Sequence, residues 1–156
     1  MEASEPVVRR LLALAKAAAE HAYCPYSGFP VGAAVLAEDG STYAGANVEN
    51  VSYGVTLCAE RVAAAQAVAA GRRRLLAIVV YTPTDAPAPP CGACRQFLNE
   101  FGPTMDVFCC CRGEGVLQAS LSELLPSAFG PANLATGGAE SQPPAAPPTP
   151  GEGHLL

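Results

Sequence analysis

Three cysteines and one glutamate carry most of the chemistry this sequence could do. Cys91 and Cys94 form a Cys-x-x-Cys pair in "PPCGAC", shortly after the apolar run Leu75–Tyr81. Such a pair can shuttle electrons as a disulfide, clamp a structural metal, or hold a metal that performs chemistry. Upstream, "LCAER" places Cys58 and Glu60 at the start of an alanine-rich stretch with helical character. Cys91 and Cys94 open the next expected helix, three residues apart and therefore on one face. All three thiols then stand at helix N-termini, where the dipole favours thiolate over thiol. Three thiolates from two helices make a zinc site with its fourth position unfilled, which marks catalytic rather than closed structural zinc. Glu60, two residues from Cys58, can approach a metal-bound water and move its proton without coordinating the metal. On its own, Glu60 reads better as a first-turn glutamate that suits the helix dipole; beside three candidate ligands the catalytic reading is preferred. Arg61 is either a cation that offsets the thiolate charge or a solvated arginine.

Four further cysteines could close the site. Cys24 is followed by a proline and has no paired ligand nearby, and Cys109–Cys111 lie in the apolar run "DVFCCC", where cysteine serves as a small hydrophobe. Of these, Cys111 at the end of a strand is the first candidate for a fourth ligand.

The elements that must position these residues are legible from periodicity and breakers. Ser4 to about Ala22 reads as a helix, with Pro6 in its first turn and Val7, Leu11, Leu14 and Ala18 at helical spacing. "YCPYSGFP" breaks it. Val31–Ala37 and Ser41–Ala46 flank Glu38-Asp39-Gly40, a hairpin signal. A helix from Leu57 to Ala70 is closed by Gly71, and Leu75–Tyr81 reads as a fully buried strand. A short helix follows from about Cys91 to Phe101, then strands over Val107–Cys111 and Val116–Ala119, then "SLSELL" as a short helix capped by Ser120 or Ser122. The order predicts an α/β fold, a mixed sheet of about five strands with helices on both faces.

Totals bound the remaining choices. The 156 residues predict one domain, and half of them are apolar, as expected of a globular chain. No signal peptide or membrane span is indicated, so cytoplasm is the expected location. The net charge of −5 argues against a broad nucleic-acid surface. Arg72-Arg73-Arg74 after Gly71 reads as a complement to a helix C-terminus. Seven cysteines cannot all pair internally, and a disulfide framework is not expected. After Gly130 there are no aromatics, and five of the fifteen prolines fall between Pro143 and Pro150. The chain is therefore expected to form one domain over residues 1–134 and a disordered Pro-rich tail over 135–156, which includes His154.

The spacing of ligand, one residue, glutamate, and later Pro-Cys-x-x-Cys is the general signature of zinc deaminases. Here it is Cys58-Ala59-Glu60 and, 30 residues after Glu60, Pro90-Cys91-Gly92-Ala93-Cys94. With "NVENVSYGVTLCAER", "PCGACRQ", "YCPYSGFPVGAAV" and "ELLPSAFGP", the chain resembles the small all-cysteine cytidine deaminases from roughly Leu11 to Leu134. The resemblance implies a three-layer α-β-α sandwich and one zinc ion held by Cys58, Cys91 and Cys94. It implies that hydroxide on zinc attacks C4 of cytidine or deoxycytidine while Glu60 shuttles protons, releasing ammonia and the uridine product. Asn47 and Glu49 would bind ribose hydroxyls, Phe29 would pack against the pyrimidine, and Ala59 would join the substrate contacts. Family members are generally homotetramers, and Tyr53 and Phe129 match positions that help complete a neighbour's site. Neither nucleic acid nor membrane is an expected partner.

Other readings compete. A Cys-x-x-Cys pair at a helix start after a strand also suits a thioredoxin-like redox protein, but the third cysteine beside Glu60 and the lack of a leading Trp weigh against it. A structural zinc module leaves Asn47, Glu49 and Glu60 without a task. A polynucleotide deaminase needs a cationic channel that this acidic chain does not suggest. A deaminase of another small nucleoside, such as an antibiotic nucleoside, is the nearest rival.

Overall fold

The structure, a computed structural model, describes residues 5–135. The expected tail falls outside the described residues except for Ala135, as does Ser4, where the first helix is expected to begin.

Five strands form one mixed sheet in the order β2-β1-β3-β4-β5: β1 (Gly32–Ala37), β2 (Thr42–Ala46), β3 (Leu75–Tyr81), β4 (Asp106–Cys110) and β5 (Val116–Ser120). Only β3 and β4 run parallel; the other neighbours are antiparallel. The parallel pair needs a crossover, and α3 (Gly92–Asn99) supplies it. This is the α/β architecture expected from the element order.

Strand alternation sorts the core into two clusters. Ala33, Val35, Ile78, Val80, Val107 and Cys109 face α2 (Ala59–Ala69), while Ala34, Ala77, Val79, Phe108 and Cys110 face α1 (Glu5–Ala19). Helices thus cover both faces, which completes three layers. Leu98 of α3 and Leu121 of the short α4 (Leu121–Leu124) join the α2 side. Cys109, Cys110 and Cys111 are all buried, consistent with their reading as core residues.

Both long helices lie close to the sheet because glycines face them. A Cβ on Gly32 would sit 1.8 Å from the Ala15 carbonyl oxygen, and one on Gly45 would sit 2.6 Å from the Ala63 nitrogen. Helix α2 ends in a Schellman motif: Gly71 N–H donates to Val68 O at 2.9 Å and Arg72 N–H to Ala67 O at 2.8 Å. That geometry needs a left-handed residue, and Gly71 has φ +84°. Arg72 then donates to Ala70 O at 3.0 Å, in keeping with the expected complement to the helix end. It also pairs with Asp39 in the hairpin turn, a contact the run of arginines did not foretell.

Some boundaries differ from the sequence reading. Helix α1 ends at Ala19 rather than near Ala22, because Tyr23 leaves to bridge with Val48. Cys91 is the N-cap of α3 rather than its first residue, and the helix stops at Asn99. Ser120, not Ser122, caps α4, through a capping box with Glu123. A 3-10 turn at Tyr53–Val55 and a short helix α5 (Pro131–Ala135) carry no hydrophobic period and were not anticipated.

Candidate active site

The loop at the carboxyl end of β3 and the starts of α2 and α3 meet at one end of the sheet. Ligand sites in open α/β sheets form at such carboxyl ends. Cys58 and Cys91 are the N-caps of α2 and α3, and neither side chain makes a capping hydrogen bond. Their backbone carbonyls begin the helices, accepting from Val62 N at 3.1 Å and Arg95 N at 3.0 Å. The thiols are therefore left for other work.

The sulfurs of Cys58, Cys91 and Cys94 lie within 4.8 Å of one another. Tetrahedral zinc with Zn–S bonds of about 2.3 Å needs sulfurs roughly 3.8 Å apart, so the cluster fits a zinc ion with small adjustment. Its soft donor set suits the metal as well. No fourth His, Cys, Asp or Glu joins the cluster among the described residues. Cys111, the candidate for closing the site, is turned to other partners: its Sγ donates to Gly115 O at 3.3 Å and Asp85 O at 3.7 Å. The described residues thus offer zinc an open position.

Charge at the cluster is unevenly held. The Cys58 thiol is pulled down to about 5, first by the Cys94 thiol that donates to it and then by the Arg61 guanidinium. The Cys94 thiol is pushed up by that same bond and by burial, since Cys94 has no exposed surface. Arg61 Nη2 sits 3.7 Å from Cys58 Sγ and also donates to Thr56 O at 2.9 Å. Arg61 therefore touches the thiolate rather than solvent alone. Arg95 instead holds the loop before Cys91, donating to Pro90 O and Leu124 O, both at 2.8 Å.

Glu60 is buried, with 5% of its surface exposed, and burial holds its carboxyl above the ordinary carboxylate range. A carboxyl raised in this way can hold a proton and release it, the property a proton carrier needs.

Cys58, Glu60 and Cys91 line a cavity of about 390 Å³, whereas Cys94 is not part of its wall. Ala59, Phe29, Asn47 and Glu49 line the same cavity. Three chain segments join beside Asn47 and Glu49: Val48 bridges to Tyr23 on one side and to Leu57 on the other. Asn47 is buried, and its amide clamps the loop before β1, with Oδ1 accepting from Val31 N–H and Nδ2 donating to Phe29 O, both at 2.8 Å. Glu49 takes backbone N–H groups from Tyr26 at 2.8 Å and Ser27 at 3.2 Å, and the Ser27 hydroxyl as well. The Ser27 hydroxyl, with those backbone donors, keeps the Glu49 carboxyl below its ordinary range.

Six candidate residues, Cys58, Glu60, Cys91, Phe29, Asn47 and Glu49, thus share one cavity, and Ala59 joins them. Tyr53 does not line it; it stands 74% exposed in the adjoining depression, edge-on to Tyr26 at 5.8 Å between ring centroids. Phe129 is 58% exposed and also lies outside the wall. Ser27, Thr56, Thr82 and Pro89 line the cavity without having been singled out. Small hydroxyl residues in loops carry no spacing signal, and only the tertiary arrangement reveals them.

Comparison with known proteins follows the same lines. Residues 7–111 match the family model described as the cytidine and deoxycytidylate deaminase zinc-binding region. A cytidine deaminase of Sporosarcina psychrophila is 46% identical over 128 residues, covering 81% of this chain and 94% of the relative. One from Halalkalibacterium halodurans is 51% identical over 113 residues, 72% of this chain and 86% of its own. The 1.6 Å crystal structure of cytidine deaminase from Burkholderia pseudomallei superposes with a TM-score of 0.75 at 48% identity, covering 78% of this chain and 98% of that one.

Proposed function

Because the chain belongs to the cytidine and deoxycytidylate deaminase family, we propose that it converts cytidine and deoxycytidine to uridine and deoxyuridine by zinc-dependent hydrolysis. The observation that carries the reading is the three-sulfur cluster, two of whose cysteines line one cavity with a buried carboxyl whose proton affinity is raised.

Cys58, Cys91 and Cys94 hold the metal. Zinc there supplies the Lewis acidity that turns water into a nucleophile at neutral pH. Glu60 takes the proton released from that water and delivers it to the pyrimidine ring nitrogen N3. Once the water oxygen has bonded C4, Glu60 carries the second proton from that hydroxyl to the amine, and the C4–N bond breaks to release ammonia. Burial suits it to this work by narrowing the gap between its proton affinity and those of the groups it serves. Phe29 packs against the pyrimidine. Glu49 receives ribose hydroxyls, and Asn47, whose Nδ2 keeps one hydrogen beyond its bond to Phe29 O, donates to the sugar while fixing the Phe29 segment. Ala59 adds to the base contacts. Arg61 offsets the thiolate charge that would otherwise blunt the metal.

The protein assembles as a homotetramer in which Tyr53 and Phe129 reach a neighbour's site. Support comes from the exposed apolar run beside the cavity: Val51, Tyr53 and Val55 are 76%, 74% and 60% exposed. A native mass of a single chain would contradict this. Among the described residues no helix is long and apolar enough to cross a membrane.

Glu60→Gln is the central test. The variant should bind zinc as tightly as the parent and lose at least about a hundredfold in cytidine turnover, the low end for a lost general acid–base. Full turnover in that variant would remove Glu60 from its role. Zinc-loaded parent protein that leaves the ultraviolet spectrum of cytidine unchanged would sink the proposed activity itself.

A further inference from the structure

The loop from Cys24 to Pro30 carries Phe29 to the cavity, and Ser27 within it lines both the cavity and the adjoining depression. Its hydroxyl has one hydrogen to give, and gives it to Glu49 Oε1. The Ser27 hydroxyl oxygen in turn accepts the Phe29 N–H at 3.0 Å. With the Phe29 amide on one side, the hydroxyl proton is directed to the other, so its bond to the carboxylate has a fixed sense. Glu49 Oε2 is meanwhile held by the Tyr26 and Ser27 amides at 2.8 and 3.2 Å. Each carboxylate oxygen accepts about two hydrogen bonds, so Oε1 keeps capacity for one more donor while its orientation is set.

Ser27 thereby connects the residue assigned to the base, Phe29, with the one assigned to the sugar, Glu49. We propose that Ser27 is a positioning residue for the sugar half of the substrate, aiming Glu49 Oε1 at a ribose hydroxyl and coupling that aim to the Phe29 backbone. This rests on the reading of Glu49 as a ribose contact. A sugar contact distant from the reacting carbon is made alike in ground and transition states, so losing it raises KM and spares kcat.

The test compares Ser27→Ala and Ser27→Thr with the parent, all zinc-loaded, on cytidine and on 2′,3′-dideoxycytidine. Inhibition constants for uridine and 2′,3′-dideoxyuridine serve as binding readouts that need no turnover of the dideoxy substrate. Ser27→Ala should raise KM for cytidine and the inhibition constant of uridine about tenfold, the low end for a hydrogen bond to a charged group, with kcat within twofold. The dideoxy ligands lack the 2′- and 3′-hydroxyls at which Glu49 is aimed, so they should bind Ser27→Ala and the parent alike. Ser27→Thr keeps the hydroxyl and should restore the cytidine KM. Equal losses on hydroxylated and dideoxy ligands would show Ser27 acting only through loop structure and would overturn the proposal, as would an unchanged uridine constant in Ser27→Ala. A parent enzyme that deaminates cytidine but binds uridine and dideoxyuridine equally would instead remove the sugar contact on which the proposal rests. A parent that does not deaminate cytidine at all would remove the activity.

Discussion

Replacing Arg61 tests whether the cation beside the thiolates matters to the metal. Arg61 Nη2 makes both of the side chain's hydrogen bonds, to Cys58 Sγ at 3.7 Å and Thr56 O at 2.9 Å, while its Nε is buried without a partner. The bare Coulomb attraction of two unit charges at about 4 Å is roughly 4 kcal/mol at an effective dielectric of 20. Arg61 is partly exposed, so solvent screens part of that. A hydrogen bond to a charged group contributes about 1.5–3 kcal/mol, which is the better figure here. It corresponds to zinc binding weakened roughly tenfold to a hundredfold, the usual cost of losing a group that supports a ligand. Competition against a chromophoric zinc chelator at neutral pH reads this directly. Arg61→Gln is the cleaner variant, because an amide can still donate to Thr56 O while the charge is gone. Arg61→Ala serves as a check, with circular dichroism reporting whether it stays folded. If folded Arg61→Gln keeps the parent's zinc affinity within twofold, the charge-compensation argument is wrong.

Two further expectations follow from packing and titration. Gly32→Ala would force a Cβ to 1.8 Å from Ala15 O, so α1 must lift from the sheet; a loss of about 3 kcal/mol or more is expected in urea unfolding. A midpoint and slope equal to the parent's would refute the close-approach account. Asp39 is lowered from 3.8 to about 2 by the Ser41 hydroxyl, the Ser41 amide and Arg72. A depressed folded value means that its contribution is full above the unfolded value and is lost as pH falls toward 2. Asp39→Asn should therefore flatten the fall in stability between roughly pH 4 and 2. A parallel fall in parent and variant would count against it.

Much of the site could be read before the fold because its residues are constrained at short range. Cys91 and Cys94 need one helical turn, and Cys58 and Glu60 need one helix start; periodicity and breakers place both. The two helix starts meet beside the carboxyl end of β3, which follows α2 and precedes α3 in the chain, and the alternation of elements points to this. Asn47 was legible only in part. Its type suits a sugar contact, yet both ends of its amide hold the Phe29–Val31 backbone, a bond set by where the loop crosses. Ser27 and the turn at Tyr53–Val55 were not legible at all. Their positions depend on Val48 bridging Tyr23 and Leu57, a pairing between distant segments with no local pattern. Cys111 could be weighed as a ligand by residue type, but only its bonds to Gly115 O and Asp85 O decide the matter.

The face that α2 turns to the sheet is made of Ala59, Ala63, Ala64 and Ala67, all with no exposed surface. A methyl group has no rotamers, so α2 adds no side-chain freedom of its own to this seam. With Gly45 admitting the helix to close range, little room is left for α2 to slide on the sheet. The start of α2, with Cys58 and Glu60, is therefore the well-anchored side of the cavity. Admission of substrate and release of product then belong to the segments hung around that anchor, 24–31 and 82–90, and their mobility rather than the helix's should limit how fast the cavity can turn over its contents.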